Sequence, residues 1–192
     1  MLTFDEALSR LLDGAQTVSE VRSLPTLAAA GRVLARAQAA AVDAPPLDNS
    51  AMDGYALAVA DVPQLASCLP VSQRIVAGSV GTRLQPGTTA RIFTGAPIPA
   101  GADAVVMQEL CQHAADSVLI NHLPRVGEHI RRAGSDIAAG SEILSVGLRL
   151  RPQDTAQAAS VGIAELPVFR RLRVAVLFTG DELRMPGEAL PP

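Results

Sequence analysis

From Asp43 onward a proline or glycine interrupts the chain every few residues, and the whole sequence holds 14 prolines and 15 glycines. Proline fixes φ and removes a backbone donor, while glycine turns the chain at little steric cost. Long regular elements do not fit between such breaks. Short runs of β-branched residues do, at 74–77, 90–94, 104–107, 117–120 and 142–144, so this stretch reads as many short strands joined by turns. Helices are expected at the flanks. Thr3 and Glu6 form a capping box ahead of Phe4, Ala7, Leu8, Leu11 and Leu12, which share one helical face. The alanine-rich stretch 26–41 predicts a second helix, and Pro152 opens a third that Gly162 closes. Strands are expected at 164–169 and 173–179. Val174, Ala175, Val176, Leu177 and Phe178 form an almost unbroken apolar run, like a buried parallel strand. Because the sequence stops soon afterwards, at Pro192, that run is read as the first strand of an α/β domain whose remainder is not included.

Composition removes several function classes. The 192 residues are enough for one or two domains, and 48% hydrophobic with 18% charged residues argues for a packed core. A net charge of −3 disfavours nucleic-acid binding. All 16 basic residues are arginine, which excludes lysine Schiff-base and lysine-base chemistry. Aromatics make up 3% with no tryptophan, too few for a base-stacking platform. Cys68 and Cys111 make no disulfide framework, so a reducing compartment is expected. The acidic start, Asp5-Glu6, is unlike an export signal, and residues 27–42 are too short and too charged to span a bilayer. A cytoplasmic protein without nucleic-acid or membrane partners is the expectation.

Four segments concentrate chemistry. Residues 45–56 bring Asp48, Asn49, Ser50 and Asp53 close to Gly54, either as a turn that satisfies its own backbone or as a site the backbone approaches closely. Residues 91–99 end a strand in Thr94-Gly95, either a plain turn or one whose hydroxyl and N–H groups face an anion. Residues 127–137 carry Arg131, Arg132 and Asp136 between glycines, suited to surface ion pairs or to an oxyanion held by a guanidinium fork. Thr179-Gly180-Asp181-Glu182-Leu183 follows the apolar run, at the end of a strand where open α/β sheets bind ligands. His113, His122 and His129 have no metal-ligand spacing and read as surface or loop histidines. Arg170-Arg171-Leu172-Arg173 reads as a solvated strand edge.

In order, Asn49-Ser50-Ala51-Met52-Asp53-Gly54-Tyr55-Ala56, Thr94-Gly95-Ala96-Pro97-Ile98-Pro99, the 101–109 segment, the 127–137 segment and Thr179–Leu183 resemble the MoeA family of molybdopterin molybdenumtransferases, which includes the E domain of gephyrin. The resemblance implies an α+β multidomain fold, with a helical linker domain, an inserted β-rich domain and the first strand of a truncated α/β domain. Residues 1–20 would form the N-terminal amphipathic helix, 21–40 with 141–168 the linker domain, 41–140 the insert and 169–192 the start of the α/β domain. It implies insertion of molybdenum from molybdate into adenylylated molybdopterin with release of AMP, assisted by Mg2+. It also implies a homodimer, with other proteins of molybdenum cofactor biosynthesis as further partners. Asp53 and Asp136 are implied as catalytic, and Ser50, Thr94, Arg131, Asp181 and Glu182 as substrate-binding. The pterin-binding loops and metal-ligand carboxylates of the family would lie beyond Pro192, so the chain alone is expected to be inactive. A non-enzymatic dimerisation or binding module of gephyrin type is the alternative. Ser135 stands where the family commonly has glutamate, His129 where it has asparagine, and Phe178 where a small residue is frequent.

Overall fold

A computed structural model describes residues 2–180 and 182–189, which include α1 (Phe4–Asp13), β1 (Val21–Pro25), β2 (Gln38–Ala39) and β3 (Asn49–Ser50). β4 (Gly54–Leu57), β5 (Ser67–Ile75), β6 (Thr89–Ile92), β7 (Ala104–Met107), β8 (Cys111–Ala114) and β9 (Ser117–Ile120) follow. The last elements are β10 (Ile130–Arg131), β11 (Glu142–Leu144), α2 (Pro152–Ser160) and β12 (Glu165–Phe169). The fold is α+β and mostly short strands, as the proline and glycine spacing requires.

The largest sheet runs β7-β4-β6-β5-β9-β8. β5 joins its halves: Ser67–Pro70 pair antiparallel with β9, and from Val71 the strand runs parallel to β6. Side chains alternate across the sheet, so both faces are buried. Tyr55, Leu57, Val106, Val118 and Ile120 pack on one face, and Ala56, Ile75, Ala90, Ile92 and Val105 on the other. A separate core joins Ala29, Leu34, Leu144, Leu150, Ala158, Leu166 and Val168. β1–β12, β2–β11 and α2 surround it.

Two expected elements are not formed. The alanine-rich stretch 26–41 is no helix; it makes one 3-10 turn at Thr26–Ala28 and then extends. Gly31 turns the chain at φ +78, after which Leu34 donates to the Leu148 carbonyl (2.9 Å) and Ala35 to that of Pro167 (2.9 Å). Partners distant in sequence thus take the amides a helix would have used. The region expected to be a helical linker therefore has a strand framework, with α2 its one α-helix among the described residues. The apolar run 173–179 is likewise no strand. Val174, Val176, Leu177 and Phe178 are exposed. The neighbouring 170–173 segment is irregular rather than a strand edge.

α1 starts as its capping box dictates: the Glu6 amide donates to Thr3 Oγ1 (3.3 Å) and the Thr3 amide to Glu6 Oε2 (2.8 Å). None of its residues is buried. Among the described residues no helix is long and apolar enough to cross a membrane.

Candidate functional site

Residues 48–53 form a spine between two turns. On one side the Ser50 amide donates to the Ala96 carbonyl (2.9 Å), Gly95 to that of Ser50 (2.8 Å) and Ile98 to that of Asp48 (2.9 Å). On the other, β3 pairs antiparallel with β10, which sets Asn49 opposite Arg131, and the Ala51 amide donates to the His129 carbonyl (2.9 Å). Three of the four chemistry-bearing segments are thereby brought together by backbone bonds. Asp48 fastens the second turn, accepting from the Ala133 amide (2.8 Å) and the Arg132 guanidinium (2.5 Å). Those donors, the Ala133 amide foremost, hold its carboxyl below the usual range.

Asp53 faces the other turn. The pairing of Gly54 with Ile92 brings the residue before β4 alongside the residues that follow β6. Asp53 Oδ1 accepts from both the amide (2.8 Å) and the hydroxyl (2.8 Å) of Thr94. Its own carbonyl accepts from the Gln108 amide at the end of β7 (3.0 Å). The two Thr94 donors, the amide first, hold the Asp53 carboxyl below its ordinary value, and the charge of Arg91 adds to the effect. Asp53 is therefore ionised at neutral pH, an acceptor rather than an acid. Oδ2 has no hydrogen-bond partner among the described residues.

The Arg91 cation stands beside it. Arg91 donates to the Gly54 carbonyl (2.8 Å) and to Gln108 Oε1 (2.5 Å), with its guanidinium 4.5 Å from the Phe93 ring centre. Arg74 lies 4.7 Å from the same ring. In the sequence Arg91 stands out only as the first residue of the 91–99 segment. Its signal was the alternation along β6, which puts Arg91 and Phe93 on one face.

The remaining expected site residues fall as follows. Arg131 and Asp136 meet as a half-exposed ion pair (2.6 Å). Ser50 is fully buried, and its hydroxyl donates to the Met52 carbonyl (2.6 Å), so in this structure it shapes the spine and faces no solvent. The Thr94 hydroxyl is directed to Asp53 rather than outward. Glu182 is exposed, with no hydrogen bond or ion pair to Asp53 or Arg131. Asp181 lies outside the described residues. Asn49, to which the sequence assigned no separate role, has a buried Oδ1 without a hydrogen-bond partner among the described residues.

No three His, Cys, Asp or Glu side chains among the described residues converge as a metal site. Asp53 Oδ2 offers one anionic oxygen, which would hold Mg2+ only together with waters and substrate phosphates. His113 is exposed on β8, and His122 and His129 lie in loops. His122 bonds Glu128 (2.7 Å), whose carboxyl is lowered because the Arg125 amide and His122 outweigh its burial.

Residues 2–162 match the family described as MoeA N-terminal region (domain I and II). The chain is 45% identical over 175 residues to molybdopterin molybdenumtransferase 2 of Mycobacterium tuberculosis, covering 88% of this chain and 43% of that protein. It is 39% identical over 192 residues to the molybdopterin molybdenumtransferase of Haemophilus influenzae, covering 99% and 47%. A crystal structure of a molybdopterin biosynthesis MoeA protein from Pyrococcus horikoshii superimposes with a TM-score of 0.84 at 31% identity, over 100% of this chain and 50% of that one. The chain thus spans about half the length of the curated relatives it matches. With the match to the family running through the 48–53 spine and both turns that flank it, this chain belongs to the MoeA family.

Proposed function

We propose that the surface formed by Asp53, Thr94, Arg131 and Asp136 is this chain's contribution to the active site of a molybdopterin molybdenumtransferase. There molybdenum from molybdate enters adenylylated molybdopterin and AMP leaves. The observation that carries the reading is the Asp53 carboxylate, tied through Oδ1 to Thr94 and open at Oδ2. Held ionised, Asp53 accepts a proton or hydrogen bond from a reacting water or hydroxyl. Thr94 acts as a positioning residue. Arg131 offers a guanidinium fork to the oxyanion, and Asp136 holds that fork in place until the ligand shares it. Ser50 keeps the spine in shape.

The same reading carries a homodimer and the division into 21–40 with 141–168, 41–140, and 169 onward. The shared core of Leu34, Leu144 and Leu166 supports the first of these units.

The test is molybdate-dependent AMP release by the protein that contains this chain. Asp53→Asn is expected to lower kcat by a factor on the order of 100 or more while leaving the fold intact. Arg131→Ala is expected to raise the KM for molybdate about tenfold, with a smaller effect on kcat. Near-normal turnover in Asp53→Asn would overturn the assignment.

A further inference from the structure

Away from the 48–53 spine, a cavity of about 520 Å³ is lined by Glu20, Arg22, Arg32, Arg170, Arg171 and Arg173. None of the residues of the candidate site lines it. A chain of net charge −3 here places five guanidinium groups around a single carboxylate. Glu20 holds two of them, accepting from Arg22 Nη2 (2.8 Å) and Arg170 Nε (2.8 Å). Arg32 is fixed by donating to the Phe169 carbonyl (2.6 Å). The guanidinium groups of Arg171 and Arg173 have no hydrogen-bond or ion-pair partner among the described residues. Like charges gathered in this way repel one another, and a ligand with more than one negative charge offsets that repulsion.

A second cavity, of about 410 Å³, shares Arg32, Arg170 and Arg171 with the first. Its other walls include the apolar side chains of Val18, Val33, Phe169 and Leu172. The arginine-lined cavity therefore adjoins an apolar one. Arginine forks match the paired oxygens of a phosphate, and the apolar walls fit a ring or short hydrocarbon attached to it.

We propose that these joined cavities bind a small organic phosphate, with the phosphate among Arg32, Arg171 and Arg173 and its apolar body against Phe169 and Leu172. Glu20 acts as a clamp that sets Arg22 and Arg170 in advance. The proposal does not rest on the reading of the Asp53 site.

Calorimetry on the intact protein tests it with three probes: inorganic phosphate, phenyl phosphate and the neutral benzyl alcohol. Phenyl phosphate is expected to bind most tightly and benzyl alcohol not to bind measurably. The double variant Arg171→Ala, Arg173→Ala should weaken both phosphates by about tenfold or more, as loss of two charge-assisted contacts requires. Leu172→Ser should weaken phenyl phosphate alone, towards the affinity of inorganic phosphate. These side chains are exposed, so thermal unfolding should be unchanged in each variant. Equal affinity of the double variant and the parent for phenyl phosphate would overturn the proposal. So would preferential binding of a polyglutamate peptide, which would make this face a protein-docking surface instead.

Discussion

Gly54 shows how closely the candidate site is bound to the packed interior. A Cβ at this position would overlap the Val106 carbonyl of β7, the edge strand paired with β4 in the main sheet. β4 cannot retreat freely, because it is hydrogen-bonded on its other side to β6. Gly54→Ala is expected to destabilise the fold by about 1–3 kcal/mol or more, as overpacking a sheet interior does; urea unfolding of the variant checks this. The string Met52-Asp53-Gly54-Tyr55 already marked both residues, since a carboxylate beside a glycine signals close backbone approach. It did not show where the Thr94 hydroxyl points. That follows from the Gly54–Ile92 register, which joins segments some forty residues apart in sequence.

At the scale of elements, local rules succeeded where a helix could be stopped and started locally. Pro152 at the first turn predicted α2, and Asp154 completes it. This nearly buried carboxylate accepts from the Arg151 amide (2.7 Å) and guanidinium (3.0 Å), and the guanidinium bonds foremost hold it below the usual range. A depressed carboxyl stabilises the fold above its unfolded pKa and loses that contribution as pH falls through its folded one. Asp154→Asn should therefore lower Tm at neutral pH, and the gap to the parent should close below about pH 4, near the ordinary aspartate value. Thermal melts between acid and neutral pH read this directly. The capping box predicted α1 equally well, but whether its apolar face is buried was not a local matter. Phe4, Leu11 and Leu12 are exposed, so Leu11→Ser should change unfolding free energy in this chain by less than about 0.5 kcal/mol. The alanine-rich 26–41 stretch had the propensity for a helix and lost it to ladders with Leu148 and Pro167.

Over the whole molecule, stability is distributed by pairing and burial. Ala56 and Val105 are fully buried in the main sheet, whereas residues 174–178 have no strand partner among the described residues. Hydrogen exchange on this chain should show the five amides of 174–178 exchanging orders of magnitude faster than those of Ala56 and Val105; comparable protection would contradict this arrangement. What the sequence by itself determined was local: the turns that cut the chain into short strands, the helix caps, and the motif strings that bring a carboxylate, a hydroxyl and a guanidinium into one family pattern. These depend on φ preferences and on hydrogen bonds reaching only a few residues along the chain. The tertiary structure alone decided that Asp53 is anchored by Thr94, that Ser50 is buried, that 26–41 extends, and that arginines from three separate segments meet around one cavity at one end of the β1–β12 ladder. Each of those outcomes depends on which distant backbone groups pair, and hydrogen bonds between remote strands leave no periodic trace in either strand's own sequence.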